Sequence, residues 1–131
     1  MITRHNIVKK ELFCILEKQK NTIELYSDEG EIECELDGGT YYMECEKEIN
    51  CEKYDTVRPD ISLYEINSCG VPELKYIFEI HDTNPVNEDK ERKINILKTK
   101  YETLRVFEIN VDNYIRGQNG TTFRINIERE I

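Results

Sequence analysis

Two acidic residues and a histidine stand at positions from which they could act together. Asp60 follows Pro59 near the start of a short strand-like segment, and Glu79 lies near the end of a strongly apolar one, two residues before His81. If these segments pair as a hairpin, the two carboxylates meet near one end of the sheet. Carboxylate oxygens are preferred ligands of hard divalent cations, and an imidazole can act as a base or as a metal ligand. The spacing therefore predicts a site at this sheet end.

The elements that would position these residues form one continuous unit in the middle of the chain. Apolar runs separated by turn residues predict strands over 58–66 and 75–82, which form a hairpin. A helix over 85–99 and a strand over 104–110 follow. A helix that connects two strands is typical of a β-α-β unit, so we expect strands 75–82 and 104–110 to be parallel neighbours.

Glu79 and Lys90 carry charges where the pattern around them is apolar. Strand alternation puts Glu79 and His81 on one face of a strand that is apolar on both faces, as expected for a buried strand. A buried carboxylate needs a partner, and an ion pair with Arg58 or Lys90 could provide it. Lys90 lies on the helix face that carries Ile94 and thus points toward the sheet. Alternatively, its stem lies on the core and its ammonium reaches water.

Glu11 is a further candidate, on a helix near the start of the chain. Asn6 is predicted as the N-cap of a helix over 7–20, as Asn84 followed by Pro85 is for the later helix. Helical spacing puts Glu11 on the face that carries the apolar residues. Its carboxylate could be buried there, or it could reach water from the edge of that face.

The remaining segments predict additional strands and loops. Alternation predicts strands at 22–26, 31–36, 41–45 and 121–127, with a turn at Asp37-Gly38-Gly39. The segment 46–55 is charged and poorly periodic, which predicts a loop. The five cysteines lack the closely spaced pairs typical of structural zinc sites, so we expect reduced thiols.

Length and composition favour a single folded domain over residues 1–131, which is long enough to bury one core. The chain has 27 acidic and 18 basic residues and a net charge of −9. Such a charge repels phosphate backbones, although carboxylates that bind a metal contribute to the same count. There is no apolar run long enough for a membrane span and no signal-like segment, so we expect no membrane partner. An odd number of cysteines favours a cytoplasmic or otherwise intracellular location.

The stretch from Val57 to Val111 resembles the PD-(D/E)xK nuclease superfamily, whose motif is Pro-Asp, a spacer and then Asp/Glu-x-Lys. The matching residues are Pro59-Asp60 and Glu79-Ile80-His81. The stretch is most similar to small competence-protein (CoiA-like) nucleases. This resemblance covers under half of the chain. It implies an α/β, restriction-endonuclease-like fold: an α-β-β-β-α-β core with a mixed sheet flanked by helices.

The resemblance also implies a site and a reaction. Asp60, Glu79 and the main-chain carbonyl of Ile80 would hold Mg²⁺ or Mn²⁺ for phosphodiester hydrolysis of nucleic acid, with DNA favoured over RNA. The position of the family's lysine is occupied by His81. Either His81 itself or Lys90, arriving from the helix, would then take the catalytic role of that lysine.

Glu11 matches the place where many members of the superfamily carry an additional catalytic acidic residue. A small nuclease that cuts two strands would usually need two subunits, which favours a homodimer. The departure at His81 leaves a second hypothesis open, in which the site is inactive and the nuclease fold serves as a binding or regulatory module. The acidic composition favours this second hypothesis.

Overall fold

The computed structural model describes the chain outside residues 1, 37–39 and 120–121. Across this described part the protein is mixed α/β, with open sheets and three helices. The helices are α1 (Arg4–Glu17), α2 (Glu88–Lys100) and α3 (Val111–Arg116). The strands are β1 (Thr22–Ser27), β2 (Gly30–Glu35), β3 (Tyr41–Cys45), β4 (Ile49–Glu52), β5 (Asp55–Val57), β6 (Ile61–Ile66), β7 (Pro72–His81), β8 (Arg105–Asn110), β9 (Gln118–Asn119), β10 (Thr122–Phe123), β11 (Ile125–Asn126) and β12 (Arg129–Glu130).

A five-stranded mixed sheet lies at the centre, with the strand order β12-β8-β7-β6-β3. Strands β6 and β7 form an antiparallel hairpin, in which Ile61 pairs with Phe78. Strands β7 and β8 are parallel, and α2 connects them. The hairpin and the parallel pair predicted from the sequence are thus confirmed.

The central sheet is covered on both faces. One face packs in a cluster with Leu12 and Leu16 of α1, to which β7 contributes Phe78. The other face packs in a cluster with Ile94 and Leu97 of α2. Because side chains alternate along a strand, Glu79 and His81 project toward the α2 face of β7.

Both main helices begin at a residue other than the predicted one. Helix α1 begins at Arg4 because Thr3 is its N-cap: Thr3 Oγ1 accepts a hydrogen bond from the Asn6 N–H at 3.1 Å. Helix α2 begins at Glu88, where the Asn87 side chain accepts a hydrogen bond from the Lys90 N–H at 2.8 Å. Asn6 and Asn84 were therefore the wrong N-caps.

The predicted loop over 46–55 was also wrong, because β4 and β5 form an antiparallel hairpin there. Ile49 and Cys51 of β4 are buried and alternate with exposed residues, and Val57 of β5 is buried beside them. All three pack in the cluster beneath α2. The alternation of buried and exposed residues extends over only four residues of β4. Because the surrounding residues are charged, the segment has no clear strand pattern in the sequence.

The end of the chain is broken into shorter elements than the predicted strand over 121–127. Helix α3 follows β8 directly and was not predicted. Strand β11 lies parallel to β1, while β12 pairs with β8 at the edge of the central sheet. The predicted turn at 37–39 and residue 121 fall outside the described residues. None of the described helices is long and apolar enough to cross a membrane.

Candidate functional site

Asp60 lies immediately before β6, and its carboxylate reaches across the hairpin. Its Oδ2 accepts a hydrogen bond from the Ile80 N–H of β7 at 2.8 Å, and its Oδ1 lies 3.4 Å from His5 Nε2 of α1. The Asp60 side chain is 13% exposed. Since Ile61 pairs with Phe78, the next position of the ladder sets Asp60 beside Glu79. This location explains how two residues nearly twenty positions apart share one end of the sheet.

Glu79 is buried more deeply than Asp60, with 2% of its surface exposed. Burial raises the pKa of its carboxyl to about 8. The charge of Lys90 opposes this rise, whereas the charge of Asp60 and a hydrogen bond with it add to the rise. The two carboxyl groups are therefore close neighbours, and the metal-free pair favours sharing a proton.

Lys90 reaches Glu79 from the first turn of α2. Its Nζ lies 2.8 Å from Glu79 Oε1, and its side chain is 29% exposed. The ammonium and the buried carboxylate thus form a close ion pair, which lowers the pKa of Glu79 against the effect of burial. The lysine thus points toward the sheet, and its charge partly offsets the burial of the two carboxyl groups.

His81 belongs to a different set of contacts. Its Nε2 contacts Glu128 Oε2 and lies 4.0 Å from Glu108 Oε2. Glu108 is 1% exposed, and its carboxylate accepts hydrogen bonds from Arg129 Nε at 2.7 Å and from the Val86 N–H. One ligand atom from each of His81, Glu108 and Glu128 lies within 4.8 Å of the others, so this group could hold a metal ion.

Glu11 and Ile80 complete the set of candidates from the sequence. Glu11 is exposed, and its Oε1 accepts a hydrogen bond from the Tyr114 hydroxyl of α3 at 2.9 Å. Ile80 is buried, and its N–H binds Asp60. The structure therefore brings Asp60, Glu79 and Lys90 into one group, with the main chain of Ile80 beside them. It places His81 in a neighbouring group, and Glu11 on the α1–α3 contact.

The sequence pattern did not indicate the residues that surround His81, which are Glu108, Glu128 and Arg129. One signal was present: Phe107-Glu108-Ile109 repeats Phe78-Glu79-Ile80, and the parallel register pairs Glu108 with Glu79. Glu128 and Arg129 had no comparable signal. They arrive from the end of the chain, where a two-residue strand adds to the sheet edge.

Comparisons of the chain with models of known protein families, with curated proteins and with solved structures find no match.

Proposed function

We propose that this protein is a metal-dependent nuclease, which hydrolyses phosphodiester bonds of nucleic acid and favours DNA over RNA. The observation that carries the proposal is the position of Asp60 beside Glu79 at one sheet end, with Lys90 Nζ 2.8 Å from Glu79. Two carboxylates and an ammonium at one place are the groups that a PD-(D/E)xK nuclease needs. Their order along the chain agrees with that motif except at His81.

The paired carboxyl groups suit Mg²⁺ or Mn²⁺. Two adjacent carboxylates repel each other unless a proton or a cation lies between them, and Glu79 is buried with only 2% of its surface exposed. Asp60, Glu79 and the main-chain carbonyl of Ile80 would hold the ion, since oxygen ligands suit such cations. The bound ion would supply Lewis acidity toward the scissile phosphate and lower the pKa of a water molecule.

Lys90 is the residue that we assign to the role of the motif lysine. Its Nζ already lies at the carboxyl pair, where a positive charge would stabilise the extra negative charge on a phosphate undergoing attack. His81 contacts Glu128 instead. The ammonium of Lys90 on α2 would thus occupy the place that a motif lysine at position 81 of β7 would occupy.

The arrangement of elements supports a restriction-endonuclease-like core. The hairpin β6–β7, helix α2 and the parallel strand β8 follow one another along the chain, and α1 packs on the opposite face of the sheet. In this arrangement the carboxyl pair lies at the end of adjacent central strands. The homodimer expected from the resemblance stays a prediction.

A cavity of about 250 Å³ beside Lys90 could admit the substrate's phosphate. Three basic residues and one acidic residue line it, namely Arg58, Lys90, Lys93 and Asp89, together with Asn87 and residues of β5. Three basic side chains at this place matter because the chain as a whole is acidic, and phosphate must approach against a net charge of −9.

Cleavage of labelled single- and double-stranded DNA and RNA with Mg²⁺ or Mn²⁺ tests the proposal. We expect the wild type to cleave DNA, and Asp60→Ala and Glu79→Ala to lose the activity while remaining folded by circular dichroism. The paired loss also controls for a contaminating nuclease. An absence of cleavage of all four substrates by the wild type would contradict the enzyme assignment.

A second candidate is an inactive nuclease-fold protein that acts as a binding or regulatory module. The observation that favours it is the replacement of the motif lysine by His81, whose Nε2 is engaged by Glu128. Calorimetry with Mg²⁺ separates the two candidates. The nuclease requires cation binding that disappears in Asp60→Ala, whereas the module predicts equally negligible affinity in both proteins.

A further inference from the structure

We propose that His81, Glu108 and Glu128 form a second metal site, which takes Zn²⁺ or a chemically similar transition-metal ion. It uses none of the residues that we assign to the nuclease, and it does not depend on nuclease activity. The three ligand atoms already lie within 4.8 Å of one another. Ligands of a tetrahedral ion with bonds of about 2.1 Å lie roughly 3.4 Å apart. Small shifts of the donors would complete the site, because Glu128 would move away from His81 Nε2 and Glu108 would move toward it.

Burial of the ligands is the first reason to assign a metal rather than a chance acidic cluster. His81 is 9% exposed and Glu108 1% exposed, so two of the three ligands are fixed inside the protein. The His81 ring points at the two carboxylates, and its Nδ1 has no hydrogen-bond partner among the described residues. Among the described residues, the polar contacts of the His81 ring are therefore made by Nε2, the atom that would bind the ion.

The second reason is that Glu108 is held in place by other groups. Arg129 Nε donates to its Oε1 at 2.7 Å, and the Val86 N–H donates to its Oε2, the oxygen that faces His81. Metal-binding carboxylates are commonly oriented by such surrounding hydrogen bonds. A carboxylate oxygen has two lone pairs, so Oε2 can accept the Val86 N–H and also bind an ion.

The ligand types indicate which ion fits. One imidazole and two carboxylates form a mixed nitrogen and oxygen set, which suits zinc, iron or manganese. Mg²⁺ and Ca²⁺ instead prefer oxygen ligands throughout. Glu128 is 47% exposed and lies on the solvent side, so it offers an entry path and leaves open coordination positions for water. Three protein ligands with an open position are typical of a zinc site that binds a further ligand.

The two proposed sites lie on one face of the sheet but on different side chains. Glu79 pairs with Glu108 across the parallel strands, and His81 lies two residues beyond Glu79 on β7. Lys90 contacts Glu79 and Asp60 lies beside it, whereas Arg129 and Val86 contact Glu108. Substitutions can therefore remove either group while leaving the other intact.

Calorimetric titration with Zn²⁺, and with Co²⁺ followed by its visible absorption, tests the second site. The wild type should bind one ion, and Glu128→Gln should weaken this binding by roughly 100-fold or more, since it removes a direct ligand. Glu128 is exposed, so the variant should fold as the wild type does. Glu102→Gln removes the same charge at an exposed position near the start of β8 and should bind as the wild type does.

Exposed thiols are the competing zinc ligands in this protein. Cys14, Cys45 and Cys69 are exposed and free, so the titrations are repeated with all three replaced by serine. The proposal requires binding that survives these replacements and also survives Asp60→Asn. An unchanged affinity in Glu128→Gln, or an absence of binding by the triple serine variant, would overturn it. Neither outcome would bear on cleavage with Mg²⁺, so the nuclease proposal is tested separately.

Discussion

Glu79 is a carboxyl group buried beside a second carboxyl group, and its protonation is therefore coupled to folding. Its pKa in the folded, metal-free protein is raised to about 8, well above the value of an exposed glutamate. The folded state consequently holds a proton that the unfolded state releases between about pH 4.5 and pH 8. The contribution of this bound proton to the free energy of unfolding is complete below about pH 4.5. It is lost as the pH rises to about 8.

Glu79→Gln should remove this dependence, because an amide does not titrate. In the presence of a chelator, the free energy of unfolding of the wild type should fall between about pH 5 and pH 9 by more than that of the variant. Urea denaturation across this range measures the difference. Parallel pH profiles for the two proteins would show that Glu79 is ionised in both states and would contradict the raised pKa.

Lys90 and His81 compete for the role of the missing motif lysine, and single substitutions distinguish them. Lys90 lies at the carboxyl pair, so Lys90→Ala should reduce the cleavage rate by roughly 10²–10³-fold, as expected for the loss of a group that stabilises transition-state charge. His81→Ala should change the rate by less than about tenfold. Single-turnover cleavage measures both rates.

The opposite ranking would return the catalytic role to His81, with a loss of roughly 10²–10⁴-fold in His81→Ala. His81→Lys would then preserve or raise the rate by restoring the ammonium of the motif. Under the present assignment, His81→Lys should give no gain, because Lys90 already provides the charge.

The first turn of α2 determines where Lys90 lies. Asn87 caps this helix through the Lys90 N–H, so Asn87→Ala should lower the free energy of unfolding by about 0.5–2 kcal/mol and also reduce cleavage. Thr3→Ala removes the corresponding cap of α1 and should lower stability by a similar amount. A similar loss of cleavage in both variants would show that general stability, rather than the position of Lys90, is responsible.

The elements that the sequence predicted correctly are those with long apolar patterns. Strand β7 is buried over most of its length and β8 over its middle, so their apolar runs were visible without any tertiary information. The start of α2 was misplaced because both Asn84 and Asn87 have capping side chains and only the fold selects between them. The β4–β5 hairpin was missed because its buried positions are few and its neighbours are charged.

The carboxyl pair could be predicted because pairing of β6 with β7 fixes Asp60 beside Glu79. The group around His81 could not be predicted, since Glu128 joins it only through the placement of the C-terminal segment against β8. Such a contact depends on tertiary packing, because strands of two residues carry no periodicity of their own. Local sequence patterns therefore predicted the pair of Asp60 and Glu79, whereas the group around His81 depends on the topology of the sheet.

At the scale of the whole molecule, the net charge of −9 limits how the protein can bind nucleic acid. Phosphate repulsion should make binding weak without a divalent cation, because bound cations reverse the local charge. Ca²⁺ should therefore strengthen binding of labelled duplex DNA by at least about tenfold in a fluorescence anisotropy titration, and Asp60→Ala should abolish this gain. Equal binding with Ca²⁺ and with a chelator would indicate a cation-independent surface.

Calorimetric binding of Mn²⁺ tests most directly whether Asp60 and Glu79 form a cation site. Glu128→Gln is the background for this titration, because it removes a ligand of the second proposed site. We predict that this variant binds one Mn²⁺ ion and that adding Asp60→Ala abolishes the binding, whereas adding Glu102→Gln leaves it unchanged. Equal Mn²⁺ affinity with and without Asp60→Ala would contradict the assignment of Asp60 and Glu79 as a cation site.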